Sequence, residues 1–168
     1  YSVCFNATCV CISSFSSDAA ELAAQAVKAL EQARVPVLEA WLLASRNDAF
    51  LASEPVPAAI RQQLAGYISE DVLQRARYKV GESNSLNLGN LVLAYGGFTS
   101  GGTVVAITLV DVVIFRSAED ASTDLALWAH ELAHVQQFMD WGVHDFASRY
   151  VFDSATVEAQ ANLVQQAF

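Results

Sequence analysis

Apolar positions along this chain change period twice. From residue 18 to about residue 51 they recur with helical spacing, from Tyr78 to Phe115 they gather in short β-branched runs, and from residue 123 the helical period returns. Ser16-Ser17-Asp18-Ala19-Ala20-Glu21 reads as a helix start, with Asp18 as cap and Glu21 where a capping-box partner belongs. The Ala-rich run to Arg34 favours helix by propensity. Pro36 is expected to break or kink it before a second amphipathic piece, about 37–51, that presents Leu38, Trp41, Leu42 and Ala49. Pro55 and Pro57 mark a loop; Pro57 opens a short helix closed by Gly66, and Ser69 caps another over 70–75.

Strands are expected at 78–80, 91–95, 104–109 and 112–115, punctuated by Gly81, Asn90 and Gly96-Gly97, with 96–102 (GGFTSGG) as a flexible loop. Ser122-Thr123-Asp124 then caps a helix to about Trp141 that ends at Gly142. A last helical region covers 145–167, broken near Asp153-Ser154. The order is helices, a small and mostly antiparallel sheet, then two more helices, which is an α+β arrangement. One domain is expected over 1–168, made of an extended arm (1–15), a helical part (18–75), the sheet (77–116) and the closing helices (123–168).

Composition narrows the classes of function. A hydrophobic fraction of 54% with three Trp means a packed globule. A net charge of −9 argues against nucleic acid or an anionic lipid surface as partner, since phosphate contacts need clustered Lys and Arg. No run reaches the ~18 apolar residues of a membrane span. Cys4, Cys9 and Cys11 all lie in the uncharged opening segment; in an exported protein Cys4 can pair with either of the others, and in a cytosolic one the three are small buried residues. The pairable spacing and the missing initial Met favour an exported, periplasmic or secreted, protein.

The chemistry concentrates at His130-Glu131-Leu132-Ala133-His134. Two His four apart on a helix project from one face, one turn apart, and both can bind one tetrahedral Zn²⁺. Glu131 lies about 100° round the helix from His130. It can reach a water on the metal and take its proton without ligating the ion. A catalytic zinc needs a third protein ligand. His144 is one candidate, ten residues after His134. The metzincin spacing fails, because Gln137 and Asp140 stand where that pattern needs Gly and His. Glu158 is preferred: it is a single charge amid Val157, Ala159, Ala161 and Leu163, on a helix that can return antiparallel after Gly142.

His130 to Phe138, HELAHVQQF, resembles the core of the HExxH zinc peptidases with a downstream Glu ligand, the gluzincins. More narrowly it is similar to a bacterial peptidase-like domain family marked by a HELxHVxQ helix and found in secreted or toxin-associated proteins. The resemblance extends to Glu39-Ala40-Trp41-Leu42, to 106–115, and from Trp141 through Glu158-Ala159-Gln160-Ala161. It implies a compact gluzincin-like domain with zinc at His130, His134 and Glu158, and Glu131 as general base. Two departures stand out. Asn162 occupies the position one turn after the ligand Glu where many gluzincins carry an acid that orients a ligand His; an Asn there can still hydrogen-bond an imidazole, less strongly. Only ten residues of this sequence follow Glu158, so a second lobe to frame a long peptide is not expected within it.

Among secondary candidates, Tyr150 is chosen as the side-chain donor to an oxyanion, over His144 and Arg149 in the same stretch, with core packing as its competing role. Asp111, which interrupts an apolar run, is expected at a turn or as an outer partner of a ligand His. The expected function is a zinc-dependent peptidase acting on a peptide or protein substrate. The alternative is a non-catalytic interaction domain, a degenerate peptidase with a structural or vestigial metal.

Overall fold

The computed structural model describes residues 2–5, 8–11, 17–81 and 105–168. The expected strand at 91–95 and the glycine loop at 96–102 fall outside them. Helix α1 (Ser17–Leu51) begins one residue before the expected Asp18 cap and runs through Pro36 without ending, where a break or kink was expected. Pro36 leaves the Gln32 carbonyl without its helical partner, and both residues are exposed, so water takes the freed bond. The helix is held by its buried stripe, Val35, Leu38, Leu42, Ser45 and Ala49, at alternating spacings of three and four.

Strands β1 (Ser2–Phe5) and β2 (Thr8–Cys11) form an antiparallel hairpin whose register sets Cys4 opposite Cys9 and Cys11 opposite Ser2. The main sheet follows α1. It comprises β3 (Glu54–Pro55), β4 (Arg77–Val80), β5 (Ala106–Leu109) and β6 (Val112–Phe115), in the order β3-β4-β6-β5. Two of its three pairings are antiparallel; β4 and β6 run parallel. The two-residue β3, in a stretch expected to be loop, is an edge strand, the place where a Pro in a sheet costs no ladder bond. Helices α2 (Ala58–Leu64) and α3 (Glu70–Arg75) lie between β3 and β4, and Ser69 Oγ accepts from Val72 N at the start of α3, as its position predicts. Helix α4 (Ala118–Thr123), capped by Ser117, was not expected; the Ser122-Thr123-Asp124 cluster obscured it.

Side-chain alternation gives the sheet two buried faces. Ile107, Leu109, Val112 and Ile114 pack with the buried stripe of α1. Ala106, Val113 and Phe115 pack with α2, α3 and Trp128, Ala129, Leu132 and Val135 of the next helix. Large side chains such as Trp128, Phe115 and Leu132, all fully buried, each contribute about 1.5–3 kcal/mol by leaving water. Asp111 stands at the β5–β6 turn, one of its two expected positions, and there it accepts from Arg46 Nε at 2.6 Å and Nη2 at 2.7 Å. That forked ion pair ties the hairpin end to α1.

Helix α5 (Leu125–Gln165) carries the motif. Asp124 caps it by accepting from Leu127 N at 2.8 Å. Its backbone leaves helical geometry twice: at Gly142, whose φ of 78° suits glycine, and at Asp153, which re-caps the chain by accepting from Thr156 N. Three helical segments result, 125–141, 143–152 and 154–165, close to the breaks expected from Gly142 and Asp153-Ser154. No helix among the described residues is long and apolar enough to cross a membrane.

Candidate metal centre

Within the first segment of α5, Trp128, Leu132 and Val135 face the sheet. The helical period then sets His130 and His134 together on the neighbouring face. The turn at Gly142 and the break at Asp153 bring the third segment back against this face, and Val157 and Ala161 pack it there, both buried. Glu158 is thereby delivered to the two imidazoles.

The ligand atoms converge. His130 Nε2 and His134 Nε2 are 3.1 Å apart, His130 Nε2 lies 3.3 Å from Glu158 Oε2, and His134 Nε2 lies 3.6 Å from Glu158 Oε1. Nitrogen and oxygen ligands about 2.0–2.1 Å from a tetrahedral ion stand roughly 3.3 Å from one another. The three residues can therefore hold one metal ion almost without moving. His134 is nearly buried, with 3% of its side chain exposed, while Glu158 keeps 27%, so the site opens toward solvent on the carboxylate side.

Charge in the metal-free site follows from this packing. Burial alone would raise the Glu158 carboxyl, but its contacts with His130 and His134 outweigh that and hold it well below the usual carboxylate range. Burial would lower His130; the bond to Glu158 and the charge of Glu131 outweigh it and leave the imidazole raised. A metal ion entering the site competes with a proton for His130.

The surrounding shell is polar and specific. Glu131 is buried, and Thr108, on the inward face of β5, donates its hydroxyl to Glu131 Oε2 at 2.7 Å. Tyr150 is also buried; its hydroxyl donates to Glu158 Oε1 at 3.0 Å and its ring stacks with Phe146. Gln137 Oε1 lies 2.8 Å from His134 Nδ1. By contrast His130 Nδ1 is buried with no hydrogen-bond partner among the described residues.

Every expected ligand thus lies in one cluster, with Glu131 and Tyr150 beside it. His144 does not join them. It is exposed and pairs with Glu39 of α1 at 2.8 Å, and that carboxylate's bond and charge raise the imidazole's pKa. A raised pKa stabilises the fold fully below the ordinary His value of about 6.5, and that contribution fades as pH rises through the folded value. Any gap in melting temperature between the wild type and His144→Gln is therefore expected at pH 5.5 and gone by pH 9; a gap that widens with pH would reverse the assignment.

Asp111 does not touch a ligand His, and Asn162 is exposed, its side chain turned to solvent and not to an imidazole. Thr108 escaped sequence reasoning, although a hydroxyl inside the apolar run 106–115, at an inward position opposite the motif helix, was its signal. Two clefts lie nearby. One, of about 370 Å³, is lined by residues including Tyr67, Ser69, Gln136 and Asp140; the other, of about 280 Å³, includes Arg149, Phe152 and Thr156. Trp141 and Gln160 line both, and His130, His134 and Glu158 line neither.

No curated protein and no solved structure matches the chain. A family model, the eCIS core domain, matches residues 55–142. That is just over half of the chain; it takes in α2, α3, strands β4 to β6, α4 and the whole HExxH motif, and it stops before Tyr150 and Glu158. This chain belongs to the eCIS core domain family, a bacterial secreted-system family.

Proposed function

We propose that the chain is a zinc-dependent peptidase that hydrolyses peptide bonds with Glu131 as general base. The observation behind this reading is the convergence of His130 Nε2, His134 Nε2 and the Glu158 carboxylate at tetrahedral spacing, with a buried carboxylate on the residue next to the first His. Two imidazoles and one carboxylate are the donor set of catalytic zinc sites that keep a fourth position open. A zinc ion held there would lower the pKa of a water to around 7 and polarise a substrate carbonyl. Glu131 takes the proton from the attacking water and returns it to the leaving amine. Thr108 fixes one oxygen of that carboxylate and leaves the other for the proton. Tyr150 was expected to stabilise an oxyanion; its hydroxyl hydrogen lies on Glu158, so the role this geometry favours is orienting the ligand. The substrate is a peptide or protein, and the family's secreted-system setting supports an exported location.

A second reading has one observation in its favour. Two clefts, one beside the motif segment and one between the second and third segments of α5, are lined without the triad, which suits an interaction domain whose metal only braces two helical segments. Metal content tests what the two readings share. Chelator-free protein is expected to hold about one zinc per chain. Protein that binds none after reconstitution overturns the site.

A further inference from the structure

Gln137 makes three hydrogen bonds with one carboxamide. Its Oε1 lies 2.8 Å from His134 Nδ1, and its Nε2 lies 3.0 Å from the Val157 carbonyl and 3.2 Å from Gln160 Oε1. The side chain is buried, with 6% exposed, between the motif segment and the returning segment of α5. A backbone carbonyl can only accept, so the face of the amide toward Val157 must be the NH₂. Its other face is therefore the oxygen, and an oxygen opposite His134 Nδ1 requires the proton to be on Nδ1. The lone pair of His134 is left on Nε2, the atom that faces His130 and Glu158.

We infer that Gln137 is the positioning residue of the metal centre: it locks His134 in the Nδ1–H tautomer and, through Val157, ties that lock to the segment that carries Glu158. This rests on the metal reading above but concerns a residue outside the ligand set. The acid that many gluzincins place one turn after the ligand Glu orients a ligand His from the return helix. In this chain that position is the exposed Asn162, and an amide on the motif helix itself, three residues after His134, does the orienting. The same bond to Val157 O sets the register of the return segment, since Glu158 is the next residue.

The two-dimensional ¹H–¹⁵N spectrum of the imidazoles tests this in metal-free wild-type protein, at a pH where the rings are neutral. His134 is expected as the Nδ1–H tautomer; an Nε2–H tautomer overturns the inference without recourse to any variant. In Gln137→Leu, checked for retained helicity, the ring is expected to lose that fixed tautomer and zinc affinity to fall about 10–100-fold. Gln137→Glu keeps an acceptor for Nδ1–H and is expected to restore the tautomer, which a purely packing role would not do. A Leu variant that keeps both the tautomer and wild-type zinc affinity overturns the inference. Wild-type protein that binds no zinc defeats the proposed function instead, and the tautomer still decides the role of Gln137.

Discussion

Replacing Glu131 with Gln is expected to lower hydrolysis of any peptide the wild type cleaves by about 10²–10⁴-fold, the usual share of a positioned general base. Zinc content should stay at the wild-type level. The exchange keeps volume, and a Gln carbonyl can still accept the Thr108 hydroxyl, so the buried site loses a charge but not its packing. What disappears is the basic oxygen. Zinc titration and turnover of a peptide library, measured on the same preparation, separate the outcomes. Hydrolysis that persists in Glu131→Gln rules out the proposed base. Loss of zinc would make Glu131 a ligand. A zinc-loaded wild type that cleaves nothing in the library favours the bracing role over the enzyme.

How far such a site can be read from sequence depends on how local its determinants are. The caps at Ser69 and Asp124, the stop at Gly142 and the re-cap at Asp153 all act within one turn of themselves, and each stands where the residue types predict it. So does the pair His130 and His134, fixed by the period of one helix. Pro36 misled because its cost depends on whether the Gln32 carbonyl meets water, which only the packed structure decides. Thr108 is legible only across distance, and so is the tie from Gln137 to the return segment, although Gln137 stands within one turn of His134 on the motif helix. The first reaches Glu131 from a strand 23 residues earlier, and the second reaches Val157 20 residues later. Glu158 is intermediate: its isolation among apolar neighbours pointed to a buried partner, but two breaks in α5 had to place it.

Those two breaks make Glu158 the most informative ligand to remove. The family match ends at residue 142, so the segment that completes the metal set lies outside it. Glu158→Ala is expected to weaken zinc binding by more than the roughly 100-fold that loss of an outer partner can cost, because a primary ligand and its charge both go. In metal-free protein some stability should be lost as well, because the contacts with the two imidazoles outweigh the carboxylate's desolvation cost. Melting temperature measured with and without zinc distinguishes the roles: the increase caused by zinc in the wild type should largely vanish in the variant, whatever its zinc-free value. Removing the carboxylate also takes away part of what raises the His130 pKa, leaving the charge of Glu131, so zinc affinity in the variant should depend less steeply on pH. Unchanged affinity would move the third ligand elsewhere in the chain. An equal fall in both melting temperatures would instead make Glu158 a structural ion-pair partner, with the imidazoles as its counter-charge and no metal needed.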